Sequence, residues 1–402
     1  MTTTDLYASE LEEAYEKIMQ SEHVSETHIP PTGLSLVAWY ADRITLLNGL
    51  RLYARFLSYP LAFNEKNVSL KSEDFNGLLA TVARRLEQIK SEPPLYAYWR
   101  TTELVQLPRE DADTPKLISE HTDYLLKHKE DLDLEDYIYS LSHLGNYCFA
   151  AINNQVPGYL KIAMDLAKYQ IEGKYSTGVK GVKCSLPSLL FISMMMIILL
   201  NDKKLDWTKV KMKGIEPNDS FTLKDWTEAF IKAYRLKLHS SRRISCIAQC
   251  RMRRDFHLED FVGAAKQIPL IDVSENDLIK LSTRRMELMI HDELIHAGNK
   301  LSAKAANKLG TNPPALVKTM RANINDLAKR KEIYLYHADH FMQWLDAFTD
   351  LRELRRHYEN RPDSVERSQY LWEKRTTILA KLGDYRHISG EWLRKKLQCI
   401  DQ

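Results

Sequence analysis

The sequence predicts an all-α protein, and three observations predict it: few helix breakers, apolar side chains recurring at steps of three and four, and capping residues where that recurrence restarts. Gly and Pro number 14 each among 402 residues. Both are depleted where helices dominate, Gly for its backbone entropy and Pro for the missing amide hydrogen. Alternation of β-branched residues at period two, the mark of a half-buried strand, is hard to find.

In chain order, the reading divides the sequence into an N-terminal helical region (1–92), an array of helical hairpins (93–312) and a C-terminal long helix with a coiled-coil-like hairpin (313–402). Ser72-Glu73-Asp74, Asp113-Thr114-Pro115, Asp219-Ser220 and Ser274 to Asp277 each put a side-chain oxygen where the free amides of a first helical turn need an acceptor. Breaks fall at Pro30-Pro31, Pro60, Pro93-Pro94, Pro157-Gly158, Gly214 to Pro217, Pro269, Gly310 to Pro314 and Pro362. Gly173 to Pro187 reads as the longest loop, and Asn201 to Asp219, anchored by Trp207, as an ordered connector or short helix. Helix pairs recur about every 35 to 45 residues, a spacing of helical-hairpin repeats. Leu134 to Ile171, Leu223 to Ile268 and Asp277 to Leu309 each read as one such pair, with stacked pairs burying one another's apolar stripes.

From Leu316 onward, Met320, Ile324, Leu327, Tyr334, Ala338, Phe341, Leu345 and Phe348 form an apolar seam that Lys331 interrupts. That seam predicts a single helix of about 45 residues, Pro314 to Tyr358, folding back at Arg361-Pro362 onto Val365 to Leu382. Trp344 and Trp372 are its expected large anchors.

Leu186 to Leu200 is almost wholly apolar. It is shorter than the roughly 20 residues of a bilayer span, and reads as a buried central helix, so no membrane association is expected. The start of the chain, Met1 to Asp5, lacks the basic and apolar regions of a leader. The cysteines, Cys148, Cys184, Cys246, Cys250 and Cys399, are odd in number and lack metal or disulfide-framework spacing. A cytoplasmic location is the expectation. Lys plus Arg is 57 against 54 for Asp plus Glu, a balance that gives no global pull toward nucleic acid or anionic lipid.

Several chemistries are disfavoured by pattern. The sequence has no nucleophile elbow, no phosphate-cradling glycine motif and no catalytic cysteine signature; Gly178 to Lys183 lacks the strand and helix context of an anion-binding loop. Glu293 and His296 have the i, i+3 spacing of helical di-iron carboxylate sites, but no facing helix carries a second Glu-x-x-His. They read as polar residues on the solvated side of an amphipathic helix, and His337, Asp339 and His340 as exposed. Cys246 and Cys250 share one helix face and read as small buried packing residues. No cofactor is expected, and nothing in the sequence sets an oligomeric state. The basic cluster Arg235, Lys237, Arg242, Arg243, Arg251, Arg253 and Arg254 is the chief candidate for partner binding. Its arginines suit carboxylates or phosphates, while Asp255, Glu259 and Asp260 are placed to neutralise part of it.

In Trp226 to Pro269, Phe261, Ala264 and Pro269 stand at the late aromatic, small and proline positions of a repeat. The segment resembles the helix–turn–helix unit of tetratricopeptide-like proteins, and Leu144 to Cys148 with the helix after it is similar to long bacterial chains of that kind. The resemblance implies a right-handed α-α superhelix, a solenoid serving as an interaction scaffold. The expected function is therefore binding of a protein or peptide without catalysis. A nucleic-acid-binding protein using Arg235 to Arg254 is the second reading, and a metalloenzyme around Glu293 and His296 the third.

Overall fold

The computed structural model describes residues 41–53, 76–85, 89–132, 134–153, 156–172, 210, 212–216, 218–238, 240–273, 277–298, 300–330, 333, 335–359, 364–382 and 388–400. Among these the regular structure is helical, apart from an isolated bridge between Met212 and Ile215. The cap at Ser72 to Asp74, the loop Gly173 to Pro187, the apolar stretch Leu186 to Leu200, Trp207 and the backbone of Tyr334 lie outside the described residues, as does the side chain of His337.

The chain divides into two compact units, Met1–Ala151 with Val156–Leu166, and Ile152–Gln155 with Ala167–Gln402. The division falls within 151–167. Ile89 and Leu95 share one apolar cluster, and Ala306 and Met320 share another.

The first unit comprises α1 (helical residues 41–53), α2 (Asn76–Arg84), α3 (Pro93–Leu104), α4 (Thr114–Lys127), α5 (Leu134–Asn153) and the first part of α6 (Leu160–Glu172). The prolines at the start of α3 and α4 occupy first-turn positions, where no amide donor is needed. Leu46, Leu47, Leu50, Val82 and Leu95 form an apolar centre. Beside it Arg51 forks onto the buried Asp136, with Nε–Oδ1 at 3.2 Å and Nη2–Oδ2 at 2.6 Å, joining α1 to α5. α5 and α6 are the two helices expected over Leu134 to Ile171, and the chain between them passes through Gly158, whose φ of +92° favours glycine.

The second unit continues through α7 (Leu223–Tyr234), α8 (Ser240–His257), α9 (Phe261–Gln267), α10 (Asp277–His296), α11 (Lys300–Leu309), α12 (Pro313–Lys329), α13 (Leu335–Glu359), α14 (Ser364–Leu382) and α15 (Ile388–Gln398). Leu223 to Ile268 is three helices with 3-10 turns at Arg235–Lys237 and Ile268–Leu270, not one pair. Its extra break has a local cause: Asp260 accepts from the Gly263 amide at 2.8 Å, starting α9 just after Glu259 adopts a φ of +60°. The cap before α7 is Thr222, in a reciprocal capping box with Asp225, rather than Asp219-Ser220. Asp277 to Leu309 is the expected pair, α10 and α11.

The single long helix expected from Pro314 to Tyr358 is two helices, α12 and α13. After Lys329 the Arg330 amide bonds back to Asp326 and Ala328, closing the last turn. The next seam position is Lys331, and carrying the helix on would press an ammonium group into the apolar contact. The fold-back itself occurs, with α14 packed along α13. Trp344 is fully buried there, but Trp372 is 68% exposed and anchors nothing. α10 is buried along most of its length against α9, α11 and α12, and runs through the core cluster that α13, α14 and α15 complete.

Candidate functional site

The arginines of α8 share a helix but not a surface. Arg251 forks onto Glu228 of α7, with Nε–Oε1 at 2.9 Å and Nη2–Oε2 at 2.6 Å. Arg254, 4% exposed, reaches the same Glu228 and also Asp255. Burial would raise the Glu228 carboxyl, yet hydrogen bonds from both arginines hold it below its usual range. Arg253 turns toward α10 and donates to the Ser282 hydroxyl at 3.2 Å, with burial lowering its guanidinium to about 10. Arg243 donates to the Leu238 carbonyl at 3.2 Å, and Arg242 is half-buried. In the adjoining turn, Lys237 donates to the Ile171 carbonyl while Arg235 is exposed. The sequence reading missed Glu228, which lies 23 positions before Arg251 on another helix. Of the three expected neutralising acids, Asp255 pairs with Arg254, Glu259 pairs with Lys395, and Asp260 caps α9.

Cys246 and Cys250 are buried, and neither is in a disulfide. Burial pushes the Cys250 thiol well above its ordinary value, followed by the influence of Cys246. Such a thiol stays protonated and is a packing group rather than a nucleophile.

Of the pair expected on the solvated side of α10, His296 is exposed but Glu293 is not. Glu287, His291, Asp292 and Glu293 are all buried, the last at 7% exposure, because α10 is enclosed by helices on most sides. Each carboxylate has its own partners. Glu287 accepts from Thr311 at 2.6 Å and Arg284 at 2.5 Å, and Asp292 meets Arg355. Glu293 accepts from Trp392 Nε1 and Lys396 Nζ of α15, both at 2.6 Å. His296 is turned the other way, with Nδ1 2.7 Å from the Asp292 carbonyl oxygen. The geometry therefore separates Glu293 from His296, and among the described residues no group of three or more His, Cys, Asp and Glu side chains is placed to hold a metal ion. Asp339 and His340 are exposed on α13.

Two concavities in the second unit have the dimensions of binding sites. One, of about 450 Å³, lies over α9 and α11. Its floor is apolar, from Val262, Ala265, Leu301, Ala305 and Leu309, and its rim carries Lys266, Lys304 and Lys308. Leu301, Ala305 and Leu309 recur every fourth residue along α11, beside its buried Ser302 and Ala306, so the apolar face of α11 is wide: Ala305 and Leu309 pack partly against the core and Leu301 extends the stripe into solvent. Leu301 is 66% exposed, and the three lysines form no ion pair with a described residue. The other, of about 530 Å³, is polar and lies between α10, α12 and α13.

No protein-family model matches the chain, and neither a curated protein nor a solved structure matches it. Among the described residues no helix is long and apolar enough to cross a membrane.

Proposed function

We propose that the chain is a non-catalytic, tetratricopeptide-like helical scaffold that binds an acidic, amphipathic segment of a protein partner in the groove over α9 and α11. The observation that carries this reading is the apolar stripe Leu301, Ala305 and Leu309, flanked by lysines without acidic partners. An amphipathic helix laid into such a groove buries its apolar side chains against the stripe and sets carboxylates beside the rim. Covering a leucine contributes about 1.5–3 kcal/mol, whereas each exposed ion pair contributes about 0.2–1 kcal/mol. The floor would supply affinity and the lysines orientation. The superhelical course of the hairpins and a cytoplasmic setting belong to the same proposal. A nucleic-acid role for Arg235 to Arg254 is less favoured, because Arg251 and Arg254 are engaged by Glu228 and Arg253 turns toward α10.

The test is comparative capture from a native lysate by the wild-type chain and by Leu301→Asp/Lys304→Glu/Lys308→Glu. These positions project from the surface, so the variant should keep its helical circular-dichroism signal. Partners retained by the wild type and lost by the variant support the reading. Identical retention by both, or none by either, discards it.

A further inference from the structure

The cavity between α10, α12 and α13 is separate from the apolar groove. α13 presents Arg352, Arg355 and Arg356 to it, and α10 presents His291, Asp292, Ile295 and His296. The spacing explains the convergence: i, i+3, i+4 on one helix faces i, i+1, i+4, i+5 on the other. The two carboxylates in the lining are Asp292 and Glu353, so Arg352, Arg355, His291 and His296 share the cavity with acids of both helices.

The partners are unequal. Arg355 is held by Asp292, whose side chain is 2% exposed. Arg352 is half-buried, yet it makes no hydrogen bond or ion pair with a described residue. His291 is 8% exposed and also makes none. A half-buried guanidinium and a buried imidazole, both facing one cavity and neither holding an acceptor among the described residues, leave donors free for a group that brings oxygen atoms with it. Burial lowers the Arg352 guanidinium, with Arg355 adding to the effect and Asp292 opposing it. The start of α12 also borders the cavity at Pro314, and its dipole favours negative charge there. Ile295, Val317 and Phe348 supply an apolar wall, and the volume of about 530 Å³ suits a small organic molecule.

We propose that this cavity binds a small organic oxyanion, its carboxylate or phosphate group held by Arg352 and His291 and its nonpolar part lying against Ile295 and Val317. Arg352 provides the forked donor set, Arg355 is fixed behind it by Asp292, and the histidine adds a third direction of contact.

Isothermal titration of the full chain with inorganic phosphate and, separately, with succinate tests this, with sodium chloride matching the ionic strength. At least one oxyanion should bind saturably, and Arg352→Gln should weaken that binding at least 10-fold, while Arg235→Gln, at the exposed turn before α8, leaves it unchanged. Binding of phosphate alone identifies a phosphate ester as the ligand class, binding of succinate alone a carboxylate, and binding of both a site selective for the anion only. Should Arg352→Gln lose its helical signal, Arg352→Lys, which keeps the charge and lacks the fork, serves in its place with the same expected weakening. Absence of saturable binding by either oxyanion, or equal affinity in the wild type and the Arg352 variant, overturns the proposal.

Discussion

Arg254 and Arg235 are both arginines in a basic stretch, and their surroundings give them opposite weights. Arg254 sits between Glu228 and Asp255 with its guanidinium buried, whereas Arg235 projects into solvent. Removing one partner of a buried ion pair leaves the other desolvated and unmatched, which costs more than the intact pair contributes. Arg254→Ala should therefore lower unfolding free energy by about 3 kcal/mol, and Arg235→Glu should change it by less than about 0.5 kcal/mol. Urea denaturation followed by helical signal checks both. Equal effects would show that the Glu228 network does not bear on stability.

At the scale of elements, α15 shows how a polar contact fixes the docking of an amphipathic helix. Leu393 and Leu397 enter the core of the second unit, and Trp392 donates from its indole nitrogen to Glu293. Trp392→Phe keeps most of the apolar contact but leaves that carboxylate oxygen without a donor, at a cost on the order of 2 kcal/mol. Amide hydrogen exchange should show protection lost first in α15; unchanged protection there would reject the assignment. The helices α5 and α6, and the pair α10 with α11, were legible because breaker residues bound them: Pro157-Gly158 between the first two, and Gly310 with its φ of +61° after the second. The fold-back of α14 onto α13 was legible from Arg361-Pro362 for the same reason. What stayed hidden depends on neighbours distant in sequence. The polar residues of α10 looked solvated because periodicity records one helix at a time, while Arg355, Trp392 and Lys396 come from helices far along the chain. The cavity containing Arg352 was equally hidden, since no local motif links α10 to α13. Lys331 interrupts the seam in the sequence, yet one charged position did not by itself end the helix expected through it.

For the molecule as a whole, the two units differ in how acid acts on them. In the first, burial lowers His121 to about 3, with Arg100 adding to the effect, and burial lowers His143 to about 4. His121 is enclosed beside Thr101, 2.9 Å from its ring nitrogen. The usual histidine value is near 6.5, so below that pH the unfolded chain takes up protons that the folded chain refuses. Stability is complete above about pH 6.5 and falls as pH drops toward the folded values, by about 1.4 kcal/mol per pH unit for each histidine. From pH 7 to pH 5 the first unit should lose on the order of 3 to 4 kcal/mol. His291 in the second unit is also lowered by burial and by Arg352, but Asp292 and Glu287 oppose the shift. Chemical denaturation at the two pH values, with hydrogen exchange separating the units, should find the larger loss in the first. His121→Gln should remove about half of that loss; an unaltered pH dependence would exclude His121 as its source.

The bond between Glu293 and Trp392 spans 99 positions, and the one to Lys396 spans 103. At a synthesis rate of about 5–20 residues per second, α10 waits on the order of 5 to 20 s on the ribosome before the donors of α15 exist. Throughout that wait the Glu293 carboxylate remains hydrated. The helix at the heart of the second unit is therefore among the last whose burial is completed, and its apolar stripe stays open until α15 arrives.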